Sequence, residues 1–113
     1  MSKRDEYIAK YAKKLEDITG SAPDMDLLKK VVIGLGPSIY NNDAESVASS
    51  DKSEMDRVKA NFLIKKLGLE DNEALDAGLD AVIDKYGRSN PKKLRAVIYY
   101  LLTQHFKKES IYN

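Results

Sequence analysis

The run Gly34-Leu35-Gly36-Pro37-Ser38 and the single histidine, His105, are the first places to look for chemistry in this 113-residue chain. Two glycines and a hydroxyl at a helix start can turn free amides toward an anion, which makes Gly34, Gly36 and Ser38 a candidate anion site. The run lacks the Gly-Lys-Ser/Thr ending of a nucleotide-binding loop and the strand that precedes a dinucleotide fingerprint. A helix stop followed by a proline-started turn accounts for the same residues. His105 could act as a general base. It lies four residues after Leu101 and seven after Ile98, near the centre of an apolar face. Burial with a hydrogen-bonded ring is therefore the stronger expectation.

Metal chemistry finds little support. The chain has no cysteine, which removes disulfides, thiolate nucleophiles and Cys-type zinc sites. Asp24-x-Asp26 and Asp71-Asn72-Glu73 invite comparison with a calcium loop, which needs glycine sixth and glutamate twelfth. Counting from Asp71 those positions hold Asp76 and Val82; counting from Asp24 they hold Lys29 and Leu35. Both fail, and the acids read as helix caps. No catalytic residue, metal or cofactor is assigned.

Charge is distributed in blocks. There are 19 basic and 18 acidic residues, a net charge of +1 that favours neither nucleic acid nor a membrane surface. Yet Glu70 to Asp84 holds acids and no base, whereas Lys85 to Lys108 holds bases and no acid. Glu73, Asp76 and Asp80 share a helix face opposite Leu75, Leu79, Val82 and Tyr86, so they are a candidate interaction surface, otherwise a solvated face. The bases ring their helix: with Leu94 at zero, Lys92, Arg95 and Lys107 fall at roughly 160°, 100° and 220°. Weak nucleic-acid binding through 85–108 is the alternative function that this block suggests. The adjacent Tyr99 and Tyr100 point about 100° apart and cannot both face the core centre, so one of them is placed at the surface or in an interface, or else, the stronger expectation, packed at the core edge with its hydroxyl in water.

These groups must be held by helices. Tyr7, Ile8, Tyr11, Ala12, Leu15 and Ile18 recur at helical spacing over 2–18, with Ser2 as cap and Gly20 as stop. A second helix runs from about Asp24 to Leu35 and stops at Gly36-Pro37, followed by a short helical turn over 37–40. The polar stretch 41–53 reads as a loop. Asp51 and Glu54 resemble a capping box opening a third helix to Leu67. Asp71 or Asn72 starts a fourth, ended by Gly87, and Asn90-Pro91 starts the last, which ends near Phe106. The core is expected to use Ile8, Leu15, Leu28, Val31, Val32, Leu35, Phe62, Leu63, Leu67, Leu79, Val82, Ile83, Val97, Ile98, Leu101 and Leu102. Ser-Ile-Tyr-Asn occurs at 38–41 and again at 110–113, but the flanks differ, so no duplicated unit is inferred.

Three segments, Gly34–Tyr40, Asn61–Leu69 and Arg95–Leu102 with His105–Ser110 after it, together resemble a family of short bacterial proteins of unknown function. The resemblance covers nearly the whole chain and implies a helical single domain of bacterial origin; it supplies no activity. The expectation is thus an all-α, compact, single-domain bundle of five main helices plus a short helical turn, spanning 1–113 with a short tail at 109–113. With no leader-like or membrane-spanning run, a cytoplasmic protein is expected, as a monomer or small homo-oligomer. A non-catalytic protein-interaction or regulatory module is the leading function; a small enzyme is the least favoured.

Overall fold

A computed structural model describes residues 3–41, 45–87 and 92–112, with Ser38 described by its backbone alone. Among the described residues five helices carry the fold: α1 (Lys3–Thr19), α2 (Met25–Leu35), α3 (Lys52–Val58), α4 (Glu73–Tyr86) and α5 (Arg95–His105). Short 3-10 turns follow α2 (Gly36–Tyr40) and α5 (Glu109–Tyr112). Helix α3 runs on as a π-helix over Lys59–Ile64. Two strands, β1 (Ser46–Ala48) and β2 (Lys92–Leu94), pair antiparallel. The chain is mostly helical, and its radius of gyration of 13.1 Å matches a single compact domain of this length.

Helix starts follow local chemistry. Asp24 accepts from the Leu27 amide, Asp51 from those of Ser53 and Glu54, and Asn72 from that of Ala74. Each satisfies amides that the first helical turn leaves without partners. Gly20 and Gly36 close α1 and α2 with φ of 77° and 71°, where a side chain would be strained. The Ser2 cap and the Asn90-Pro91 start fall outside the described residues.

Helix α5 is the centre of the molecule. It packs against α1, α2, α4 and β1, and Ala96 through Thr103 are buried without a break. Eight consecutive residues cover more than two turns, so every face of the helix is packed against other elements or lines a cleft. Tyr99 and Tyr100 are both buried, 8% and 2% exposed, so neither ring lies out on the surface. Of the sixteen core residues expected from sequence, Leu35 alone is only partly buried.

The strands correct the reading of two segments, one expected as a loop and one as helix. The stretch 41–53 contains β1, and Lys92–Leu94, expected in the last helix, forms β2 with register Ser46↔Leu94, Val47↔Lys93 and Ala48↔Lys92. Strand geometry alternates side chains, so Lys92 is exposed while Lys93 and its partner Val47 point inward. Lys93 is wholly buried, its ammonium 5.2 Å from the centre of the Tyr86 ring. The strand also keeps Lys92 and Lys93 out of the first turn of α5, where the helix dipole opposes cations.

Around this point lies a polar knot. Tyr86 accepts from the Leu94 amide (3.0 Å), and Lys14 approaches the same ring. Glu45, just before β1, accepts from Lys10 and from the Tyr11 hydroxyl (2.9 Å). Burial, then the hydrogen bond and charge of Glu45, hold the Tyr11 phenol far above the usual tyrosine value. Tyr11→Phe removes a donor from a largely buried carboxylate and should lower unfolding free energy by about 2 kcal/mol. Urea unfolding at neutral pH measures this; an unchanged midpoint would remove the bond from the account of stability.

Candidate functional site

The end of α2, the π-helical turn, α5 and the C-terminal 3-10 turn enclose a cleft of about 170 Å³. Val31, Gly34 and Leu35 form one side, Asn61, Phe62 and Lys66 another, and Tyr99 and Tyr112 complete it. In the π-helix the amides of Lys65 and Leu67 reach back five residues, to the carbonyls of Ala60 (3.2 Å) and Phe62 (2.9 Å). One extra residue per turn rotates the later side chains around the helix axis, and such bulges recur at functional sites. Phe62 lies flat on Tyr99, with ring centres 3.9 Å apart and planes 16° from parallel.

Tyr99 is fixed at both ends. Its hydroxyl accepts from Arg95 (3.2 Å), and its carbonyl accepts from the buried Thr103 hydroxyl (2.8 Å). Tyr112 comes in from the last turn and closes the cleft beside Gly34, where a Cβ would stand 3.6 Å from its ring. The Lys66 ammonium lies 5.0 Å from the centre of the Tyr112 ring. Burial, with Tyr99 nearby, pushes the Tyr112 phenol up to about 12, while a hydrogen bond with the Thr103 side chain works the other way. At the rim, Lys66 makes no ion pair and Asn61 no side-chain hydrogen bond among the described residues.

The sequence-predicted residues divide. Gly34 and Tyr99, drawn from two separate candidate sites, meet in this cleft. At the candidate anion turn, Gly34 lies inside α2 and the Gly36 amide donates to the Ile33 carbonyl, as in a helix stop. The Ser38 side chain lies outside what is described. His105 is exposed rather than buried, its ring edge-on to Phe106. It lines a different groove, with Ala81, Lys85 and Gln104, so no Gly34–Ser38 turn stands beside it. The enclosure of α5 explains the error, because its last turn emerges from the core and the face that is apolar at Leu101 is open at His105.

Glu73, Asp76 and Asp80 are exposed on α4 as the periodicity requires. The π-helix supplies a counter-ion: Lys59 bridges Asp71 (3.1 Å) and Asp76 (3.2 Å), and these bonds raise the Lys59 pKa. The acidic block is therefore met partly by the π-helical end of α3. Within the basic block, Arg95 turns to Glu54 (3.7 Å) and Lys93 is buried. Tyr100, far from solvent, accepts from the Asp24 amide (2.8 Å) and from Gln104 (3.1 Å), tying α5 to the start of α2.

Asn61, Phe62, Lys66 and Tyr112 do not stand out by residue chemistry. One signal is present: the two Ser-Ile-Tyr copies both fold as 3-10 turns, and each tyrosine ring carries a lysine ammonium at 5.0 Å, Lys3 on Tyr40 and Lys66 on Tyr112. All three segments that carry the family resemblance reach the cleft, through Gly34 and Leu35, through Asn61, Phe62 and Lys66, and through Tyr99. Fold and cleft thus define a small, mostly helical domain built round a shallow aromatic site. Residues 10–110 match the family described as "Protein of unknown function (DUF2853)", and the chain belongs to that family. No curated protein matches the chain.

Tyr112 gives this site a pH signature. The fold favours its neutral phenol, so its contribution to stability is complete below the ordinary value of 10.0 and is lost as pH rises through about 12. Tyr112→Phe keeps the ring without the ionisation and should lose stability less steeply across that window than the parent chain. Urea unfolding at points through the window tests this; parallel slopes would mean that Tyr112 ionises as freely as an exposed phenol.

Proposed function

We propose that this protein is a non-catalytic interaction or regulatory module and that the cleft beside Phe62, Tyr99 and Tyr112 is its recognition surface. The supporting observation is convergence: segments far apart in sequence bring stacked aromatics to one cleft and leave an amide and an ammonium at its rim. Aromatic bodies with polar tips are what recognition surfaces use most. A cytoplasmic location and a monomeric or small homo-oligomeric state go with this reading. The alternative, weak nucleic-acid binding through 85–108, has less support, since Lys93 is buried and Arg95 is paired with Glu54.

Lys66 is exposed, so Lys66→Glu reverses the charge of the rim without touching the core. Affinity capture from cell lysate with the parent and the Lys66→Glu chain should retain proteins on the first that are lost on the second. Identical sets would exclude the cleft as the recognition surface. If the parent retains nothing specific, the interaction reading fails.

A further inference from the structure

The size of the cleft limits what can enter it. About 170 Å³ compares with the roughly 150 Å³ apolar cavity that accepts one benzene ring. The space suits a single ring, with any larger group extending out of its open side. Val31, Leu35 and Phe62 give the ring apolar walls, and at Gly34, where a Cβ would already touch the Tyr112 ring at 3.6 Å, a larger side chain would take up the remaining space.

The rim adds a charge requirement. Lys66 has a ring beneath it but no acid beside it among the described residues, so its ammonium places uncompensated positive potential at the mouth. Asn61 stands on the same rim with donors that no described residue accepts. One cation and one amide suit a singly charged, planar anion; a doubly charged phosphate calls for more donors.

We infer that the cleft binds an aromatic carboxylate, its ring between Leu35, Phe62 and Tyr112 and its carboxylate at Lys66 and Asn61. This rests on the reading of the cleft as a recognition surface. The ligand is either a free aromatic acid or the C-terminal aromatic residue of a partner chain, since both place one ring a few bonds from one carboxylate.

The test is titration of the ¹⁵N-labelled full chain with phenylacetate, benzyl alcohol, acetate and the tripeptide Gly-Gly-Phe, the last with a free and with an amidated C-terminus. Phenylacetate is expected to give saturable amide shifts at Gly34, Leu35, Asn61 and Lys66, with acetate silent and benzyl alcohol weaker. Lys66→Gln, at an exposed position, should weaken phenylacetate about threefold and leave benzyl alcohol unchanged. Gly34→Leu should abolish binding of both. Tighter binding of the free-acid tripeptide than of phenylacetate assigns the site to a partner C-terminus; binding of phenylacetate alone assigns it to a small acid. No saturable shift with phenylacetate, or equal binding to the Lys66→Gln chain, overturns the inference. Should that happen while lysate capture still depends on Lys66, the ligand assignment falls and the interaction reading stands.

Discussion

Burying the Lys93 ammonium is the constraint around which the other contacts are arranged. A charged side chain removed from water is costly unless polar or π-electron partners surround it. Here the Tyr86 ring provides one such partner, at 5.2 Å, and a desolvated cation–ring contact is worth about 2 kcal/mol. Keeping Lys93 inside requires β2 to lie in register with β1, because a slip of one residue would turn Lys92 inward instead. That register fixes residue 46 against residue 94 and so ties the middle of the chain to its last third. Glu45, immediately before β1, then has Tyr11 and Lys10 of α1 within reach. One inward lysine therefore joins α1, both strands and the end of α4.

With that corner closed, α5 starts at Arg95 and runs through the centre of the domain. Its enclosure has two consequences. The ring of Tyr99 cannot leave, so it becomes a platform for Phe62; Tyr100 instead bonds the first turn of α2. The helix also ends where the core ends, so Phe106 packs back toward α4 over Gly78. A Cβ on Gly78 would stand 2.3 Å from the Phe106 ring, which is why that helical position has no side chain. The chain then turns through Lys107, at a φ of 57°, and returns Tyr112 to the cleft.

Much of this architecture is legible in the sequence. Caps at Asp24, Asp51 and Asn72 act within a turn of themselves, and glycine stops require only a local dihedral angle, so both are encoded where they are used. Almost every residue that the apolar periodicity assigns to the core is buried, because burial of one helix face is set by spacing along that helix. The cleft is legible only in pieces. Gly34 and Tyr99 stand out for separate reasons, and nothing in their spacing announces that they meet. Phe62 reads as one more core residue, and Tyr112 as part of a tail. Three-residue strands are too short to show alternation, and β2 is two lysines and a leucine, which no apolar pattern would select.

Sequence by itself determined that this chain is a mostly helical domain without cysteine, with most of its helix caps and stops and the larger part of its core. Those properties depend on interactions within about four residues or on total composition. Tertiary structure alone decided which lysine is buried, that both tyrosines of α5 are enclosed, that His105 faces water, and that Lys59 answers the acids of α4. It also decided that an aromatic cleft with an ammonium at its rim exists where α2, the π-helical turn, α5 and the C-terminal turn meet. Each of these depends on which distant elements happen to surround a side chain. The cost or gain of a charge, a ring or a hydroxyl is set by those neighbours rather than by its position along the chain.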